Sequence, residues 1–339
     1  MTGELALGVA AVLFGGLLNG SFVAPMKRLR RWQWENSWFV YSLAGLLIIP
    51  WVVAPLAVPG LGGVLAGASW HALLSAVLFG LGWGLGSVLF GLGVQRMGLA
   101  VGYGLILGLI APIGTFLPLV VLHPERLFTS QGSALMIGTA IVLAGIFLCA
   151  RAGRIREADA PAQHESSRRG SFLSGLLVCI FAGIFSPMLN FSFIFGRELQ
   201  DRALAAGASV VLASNAIWVL TLTAGCLVNA GYCVILLIRN HTWHLFGTGG
   251  SGHWFGGAAM GLICFGSFMI YGFGATILGP LGGIIGWPLF MSMSLITSNL
   301  LGAASGEWTG APRRAWSLSA AGMALLIVAI AIIARGGQG

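Results

Sequence analysis

Ten long apolar runs divide this 339-residue chain, and no other feature limits its fold so tightly. They fall near residues 5–25, 36–57, 70–96, 98–122, 131–151, 171–196, 208–238, 254–277, 279–302 and 315–335. A helix needs about 20 apolar residues to cross the hydrocarbon core of a bilayer, and each run has that length. The charges agree. Only 17 basic and 9 acidic residues are present, 8% of the chain, whereas a soluble domain carries about 25%. Too few charges remain to cover a water-exposed surface, so most of the surface faces lipid. The expected fold class is all-α integral membrane, with ten transmembrane helices.

A net charge of +8 would fit nucleic acid if the positives formed one basic face. They sit instead in short bursts between the apolar runs, so no nucleic-acid partner is expected. With the N-terminus outside, Lys27, Arg28, Arg30, Arg31, Arg96, Arg151, Arg154, Arg156, Arg168, Arg169, Arg239, Arg313 and Arg314 fall inside, thirteen in all. Arg126, Arg197, Arg202 and Arg335, four in all, fall outside. Cytoplasmic loops carry the excess of Lys and Arg, which makes both termini extracytoplasmic. Glu4 stands where a cleavable signal would carry a basic segment, and the first run is long enough to span. The five cysteines lie within apolar runs without a CxxC pair, so they read as small buried hydrophobes, and neither metal nor cofactor is expected.

The chain also carries an internal repeat. Leu18-Asn19-Gly20-Ser21-Phe22 recurs as Leu189-Asn190-Phe191-Ser192-Phe193, 171 residues later. Phe90-Gly91-Leu92-Gly93 recurs as Tyr271-Gly272-Phe273-Gly274 at an offset of 181, and Gly138 to Gly153 resembles Gly322 to Gly337 at 184. Collinear matches of this kind, joining spans 1 to 6, 3 to 8 and 5 to 10, describe two halves of five spans. An odd number of spans per half means that the second enters the membrane from the opposite side, the inverted repeat of secondary transporters. The expected division is residues 1–153, a charged cytoplasmic linker at 154–170, and residues 171–339. Ordinary glycine packing is the competing account of the matches. Inverted repeats place the substrate near the midplane between the halves and move it by alternating access.

No HExxH, CxxC, GxSxG or Walker pattern is present, so hydrolytic and group-transfer chemistry is not expected. A small polar metabolite needs amide or hydroxyl partners and an aromatic face. The substrate-binding candidates within the spans are Asn19, Ser21, Trp83, Tyr103, Asn190, Phe268, Tyr271 and Trp287. Asn19 and Asn190 lead because the repeat makes them equivalent. Hydrogen bonding between helices is the alternative role for every one of these polar groups. The comb Gly80-Leu81-Gly82-Trp83-Gly84-Leu85-Gly86 reads either as close helix packing or as a hinge beside a ligand. Trp32, Trp34, Trp38, Trp70, Trp243, Trp254, Trp308 and Trp316 stand at span ends as interfacial anchors. For proton coupling the candidates are Glu35, for which capping of span 2 is the alternative role, and His71, near the outer end of span 3.

Several blocks resemble the L-rhamnose–proton symporter family. They are Ala24-Pro25-Met26-Lys27 with Trp32-Gln33-Trp34-Glu35, then Trp83-Gly84-Leu85-Gly86, Arg151-Ala152-Gly153, Asn229-Ala230-Gly231-Tyr232-Cys233, and Gly306-Glu307-Trp308 before Arg313-Arg314. The resemblance runs the length of the chain. It implies a drug/metabolite transporter-like fold of ten helices in two inverted five-helix halves. It also implies proton symport of a 6-deoxy sugar, L-rhamnose or a close relative, across a bacterial inner membrane by a protein acting as a monomer. Phe268, Met269, Trp287 and Met291 would then supply an apolar subpocket for the sugar methyl. The competing expectation is an exporter of the same superfamily for an amino acid or hydrophobic cation. Such cation exporters normally bury a carboxylate at mid-depth, and all nine acids here fall at span ends or in loops.

Overall fold

The computed structural model describes residues 3–97, 99–158 and 172–336. Its described residues contain ten helical segments long and apolar enough to cross a membrane. Span 1 runs Gly3–Arg28, span 2 Trp34–Ala57, span 3 Trp70–Met97, span 4 Leu99–Leu122 and span 5 Ser130–Ala158. Span 6 runs Leu173–Ala205, span 7 Asn215–Arg239, span 8 Gly250–Ile277, span 9 Gly282–Ala304 and span 10 Arg313–Gly336.

Three departures from the expected boundaries have local causes. Span 5 continues to Ala158, so Arg151, Arg154 and Arg156 ride on its last turns rather than in a loop. The expected linker therefore begins as helix, and the rest of it, from 159, lies outside the described residues. Span 2 is interrupted by a π-helical turn at Leu43–Ile48. Pro50 has no N–H to return to the carbonyl of Leu46, and the ladder widens there. Span 6 breaks at Ser186-Pro187 into Phe172–Phe185 and Met188–Phe195, the interruption that Pro187 leads one to expect, and turns again at Gly196.

Small residues set the helix spacing. A side chain on Gly45 would stand 2.5 Å from the Cα of Gly261, and one on Gly261 would stand 2.5 Å from the nitrogen of Gly45. Spans 2 and 8 therefore cross backbone to backbone. In the comb of span 3, Gly80 and Gly84 abut Thr221 and Gly225 of span 7, whereas Gly82 and Gly86 abut Met188 and Ser186 of span 6. Helical spacing divides the four glycines between two faces and wedges span 3 between its neighbours. Close packing thus accounts for all four, and Trp83 lies over Gly225.

Span 1 packs on spans 8 and 9, and span 6 on spans 3 and 4. Span 2 packs on 7 and 8, span 7 on 2 and 3, span 5 on 4 and 10, and span 10 on 9 and 5. Exchanging every span for the one five places away leaves this set of neighbours unchanged, as two halves related by a two-fold axis require.

Candidate transport site

Asn190 stands three residues beyond the break in span 6 and is fully buried. Its Nδ2 donates to the carbonyl of Gly114 at 3.1 Å and to that of Gly283 at 3.0 Å. The Gly114 carbonyl needs this partner because Pro118, four residues on, has no N–H to offer it. The Tyr271 hydroxyl donates to Asn190 Oδ1 at 2.6 Å, with the Gly283 carbonyl 3.2 Å away. One amide thereby ties spans 4, 6, 8 and 9 together. Trp287, also buried, donates its indole N–H to the Ile110 carbonyl at 3.2 Å. A side chain on Gly114 would fall 2.1 Å from that indole nitrogen, so only glycine admits the ring. Phe193, Trp218, Phe268, Tyr271, Trp287 and Phe290 form one connected group of rings around the amide.

The other candidates are spread more widely. Asn19 is half-buried and donates to Ser294 Oγ at 3.1 Å, joining span 1 to span 9 as Asn190 joins span 6 to span 4. Ser21 only returns a bond to the carbonyl of Leu18. Trp83 meets Phe268 edge-on at 5.7 Å. Tyr103 lies on span 4, but its side chain is outside the described residues. The binding candidates thus form one sealed cluster, Asn190 with Phe268, Tyr271 and Trp287, joined by Trp83 at its edge, and a separate pair on span 1.

Open volume lies elsewhere. A cavity of about 370 Å³ separates spans 1, 5 and 9 at the ends bearing Lys27 and Arg156. Val23, Ala24, Ile146, Cys149 and Leu295 give it apolar walls, and Ser298 and Asn299 add polar atoms. A second space of about 10 Å³, sharing Ile146 and Leu295 with the first, reaches inward to Ala111 and Met291. Ala111 follows Ile110, whose carbonyl accepts from Trp287, so this second space lies beside the aromatic cluster. At the mouth Glu307 accepts from Lys27 and lies 3.6 Å from Arg156, whose guanidinium stacks 5.3 Å above the Trp308 ring. Residues 280 positions apart meet here. Both belong to blocks that stood out in the sequence, but nothing in either block announces the other.

The two coupling candidates occupy opposite ends of their helices' bundle. Glu35 is buried and accepts at one oxygen from Asn240 Nδ2 at 2.9 Å and Thr242 Oγ1 at 2.8 Å. The capping of span 2 belongs to Gln33 and Asn36 instead, and Asn36 also donates to the Thr242 carbonyl. Glu35 thus joins the start of span 2 to the loop after span 7. His71 is exposed and its ring is tilted against that of Trp70, 3.9 Å between ring centres. Two of the expected interfacial tryptophans lie inside the protein. Trp32 donates to the Leu245 carbonyl, and Trp308 lies beneath Arg156. Both are about 95% buried, Trp32 against the loop after span 7 and Trp308 against Ala152 and Arg156 of span 5 and Ala315 of span 10.

A family model described as L-rhamnose-proton symport protein matches residues 1–338. The chain belongs to that family. Membership makes it a multi-pass transport protein and not an enzyme. The L-rhamnose-proton symporter of Citrobacter koseri is 26% identical over 344 residues, with 99% of each chain covered. That of Escherichia coli O157:H7 is 25% identical, also with 99% of each covered. A solved crystal structure covers 96% of both chains with a TM-score of 0.51 and 15% identity, a likeness of fold alone. In this symporter family member, the buried amide cluster lies at one end of the helix bundle and the open cavity lies at the end bearing Lys27 and Arg156.

Proposed function

We propose that the chain imports a 6-deoxy sugar, L-rhamnose or a close relative, together with protons, by alternating access between two inverted halves. The carrying observation is the asymmetry of the path. About 370 Å³ is open between the halves at the Lys27 and Arg156 end, and the Asn190 cluster seals the other. Small-molecule sites occupy about 300–1,000 Å³, so the cavity has room for a monosaccharide. The bias of basic residues makes its mouth cytoplasmic, and the conformation is then inward-facing. The Asn190 cluster is the closed outer gate, and breaking it admits sugar from outside. Symport from a bacterial inner membrane, with both termini extracytoplasmic and the monomer as the working unit, completes the reading.

Of the two coupling candidates, Glu35 has the better support. It is the one buried carboxylate among the described residues, and its two bonds run from the first half to the second. Protonation of Glu35 weakens both, whereas His71 lies exposed beside Trp70 at the start of span 3. Labelled L-rhamnose uptake into proteoliposomes, with and without an inward proton gradient and in competition with L-fucose, L-lyxose and L-mannose, tests the proposal. Accumulation that collapses with a protonophore supports it. Equilibrative uptake removes the coupling, and absence of saturable uptake removes the sugar.

A further inference from the structure

Beside the Asn190 cluster, the first turn of span 7 buries three side chains whose polar atoms have no partner among the described residues. They are Ser214 Oγ, Asn215 Oδ1 and Trp218 Nε1, on residues no more than 1% exposed. Ser214 occupies the N-cap position of span 7, yet its hydroxyl does not cap the helix. It turns toward span 8, where a side chain on Gly272 would meet Ser214 Oγ at 2.6 Å and Trp218 Nε1 at 2.9 Å. Serine and indole therefore converge on one point, next to Tyr271. A buried polar group without a partner is costly in a low-dielectric interior, and three within five residues mark a place where a ligand's polar atoms belong.

The repeat indicates when that place opens. Gly272 corresponds to Gly91 at the offset of 181, and a side chain on Gly91 would meet nothing within 4 Å. Phe193, which matches Phe22 in the repeat, stacks on Trp218 at 5.6 Å in a fully buried pair, whereas Phe22 meets Trp38 at 6.1 Å in a half-buried one. Trp38 Nε1 has a partner in Asn229 Oδ1 at 3.1 Å, and Trp218 Nε1 has none. Gly91 is exposed on span 3 whereas Gly272 is buried, so the second-half surroundings are the more tightly packed of the two. Inverted halves exchange conformations across the transport cycle, so the groups around Gly272 come apart in the opposite state.

We propose that Ser214, Asn215 and Trp218 form the outward-facing subsite for the hydroxyl groups of the transported sugar, collapsed in the present conformation. The inference rests on the sugar-transport reading above and gives that site its external face. The chemistry selects the ligand class. The Asn215 amide nitrogen is already engaged by the Leu212 carbonyl at 2.8 Å, so its oxygen can only accept. An indole N–H can only donate, and a serine hydroxyl does either. A cation would face the indole N–H and an anion the amide oxygen. Neighbouring hydroxyls of a neutral sugar satisfy the converging serine and indole, Asn215 Oδ1 one residue along the helix is left for a further hydroxyl, and Phe193 packed on Trp218 is an apolar wall.

The test uses the full-length protein in proteoliposomes with L-rhamnose as probe. Trp218→Phe keeps the ring and removes the donor, and Ser214→Ala removes the hydroxyl. Each is expected to raise the KM for external L-rhamnose about tenfold, equivalent to about 1.4 kcal/mol, with thermal stability in detergent unchanged or raised. As an independent readout, Ser214→Cys is expected to react with a membrane-impermeant maleimide applied from outside, and L-rhamnose is expected to protect it. Transport with unchanged KM in both variants, the result for groups that meet only a buried water, overturns the subsite. So does an unreactive Ser214→Cys in a transporting protein. Absence of L-rhamnose transport by the wild type overturns the functional reading itself and the subsite with it.

Discussion

Replacing Asn190 by Ala removes three hydrogen bonds from a fully buried position: two donated to the Gly114 and Gly283 carbonyls and one accepted from Tyr271. Side-chain hydrogen bonds between membrane helices average about 0.6 kcal/mol and reach about 1.7, so three set a loss of at least about 2 kcal/mol. The neighbours cannot recover fully. Pro118 denies the Gly114 carbonyl a helical partner, although Tyr271 retains the Gly283 carbonyl at 3.2 Å. The repeat-equivalent residue is the internal control. Asn19 makes one half-buried bond, to Ser294 Oγ, and Asn19→Ala is expected to cost about 0.6 kcal/mol. Reversible unfolding of both variants in mixed detergent, titrated against wild type, measures the difference of at least about 1 kcal/mol. An Asn190→Ala protein within about 0.5 kcal/mol of wild type, or equal losses for the two variants, would refute the structural reasoning for the gate. Both substitutions are also expected to abolish L-rhamnose uptake without loss of expression.

Glu35→Gln retains an oxygen able to accept from Asn240 and Thr242, so the protein is expected to fold. It should lose proton-driven accumulation of L-rhamnose while keeping counterflow exchange, whereas His71→Ala, exposed at its span end, keeps both. Gly261→Ala brings a side chain to 2.5 Å from the Gly45 nitrogen and is expected to destabilise the protein by about 1–3 kcal/mol in the same unfolding titration. Glu307→Gln removes the carboxylate that Lys27 and Arg156 share at the cavity mouth. The carboxylate is 44% exposed, so the stability change should stay below about 1 kcal/mol. The initial rate of L-rhamnose uptake, measured in proteoliposomes, is expected to fall.

Much of the architecture was legible before any coordinates. Apolar length decides helix and membrane together, because lipid leaves the backbone no partner outside its own segment. Basic residues flank the runs on alternate sides, and the structure breaks span 6 where Pro187 lacks an N–H. The equivalence of Asn19 and Asn190 was readable as a repeat, but their unequal roles were not. One amide found a carbonyl freed by Pro118, and the other a serine. Trp32 and Trp308 read as interfacial anchors, because their positions at span ends say nothing of what packs over them.

The sequence by itself determined the helices, their number and the kind of protein they build, since these follow from local hydrophobicity and charge. Tertiary structure decided which polar atoms meet. Lys27 reaches Glu307 across 280 residues, and Glu35 reaches Thr242 across 207. Such pairings depend on how helices of similar composition pack, which no local pattern encodes. Tertiary structure also decided where space remains: helices of similar composition leave a cavity at the Lys27 and Arg156 end and close over Asn190, and only their packing makes that difference.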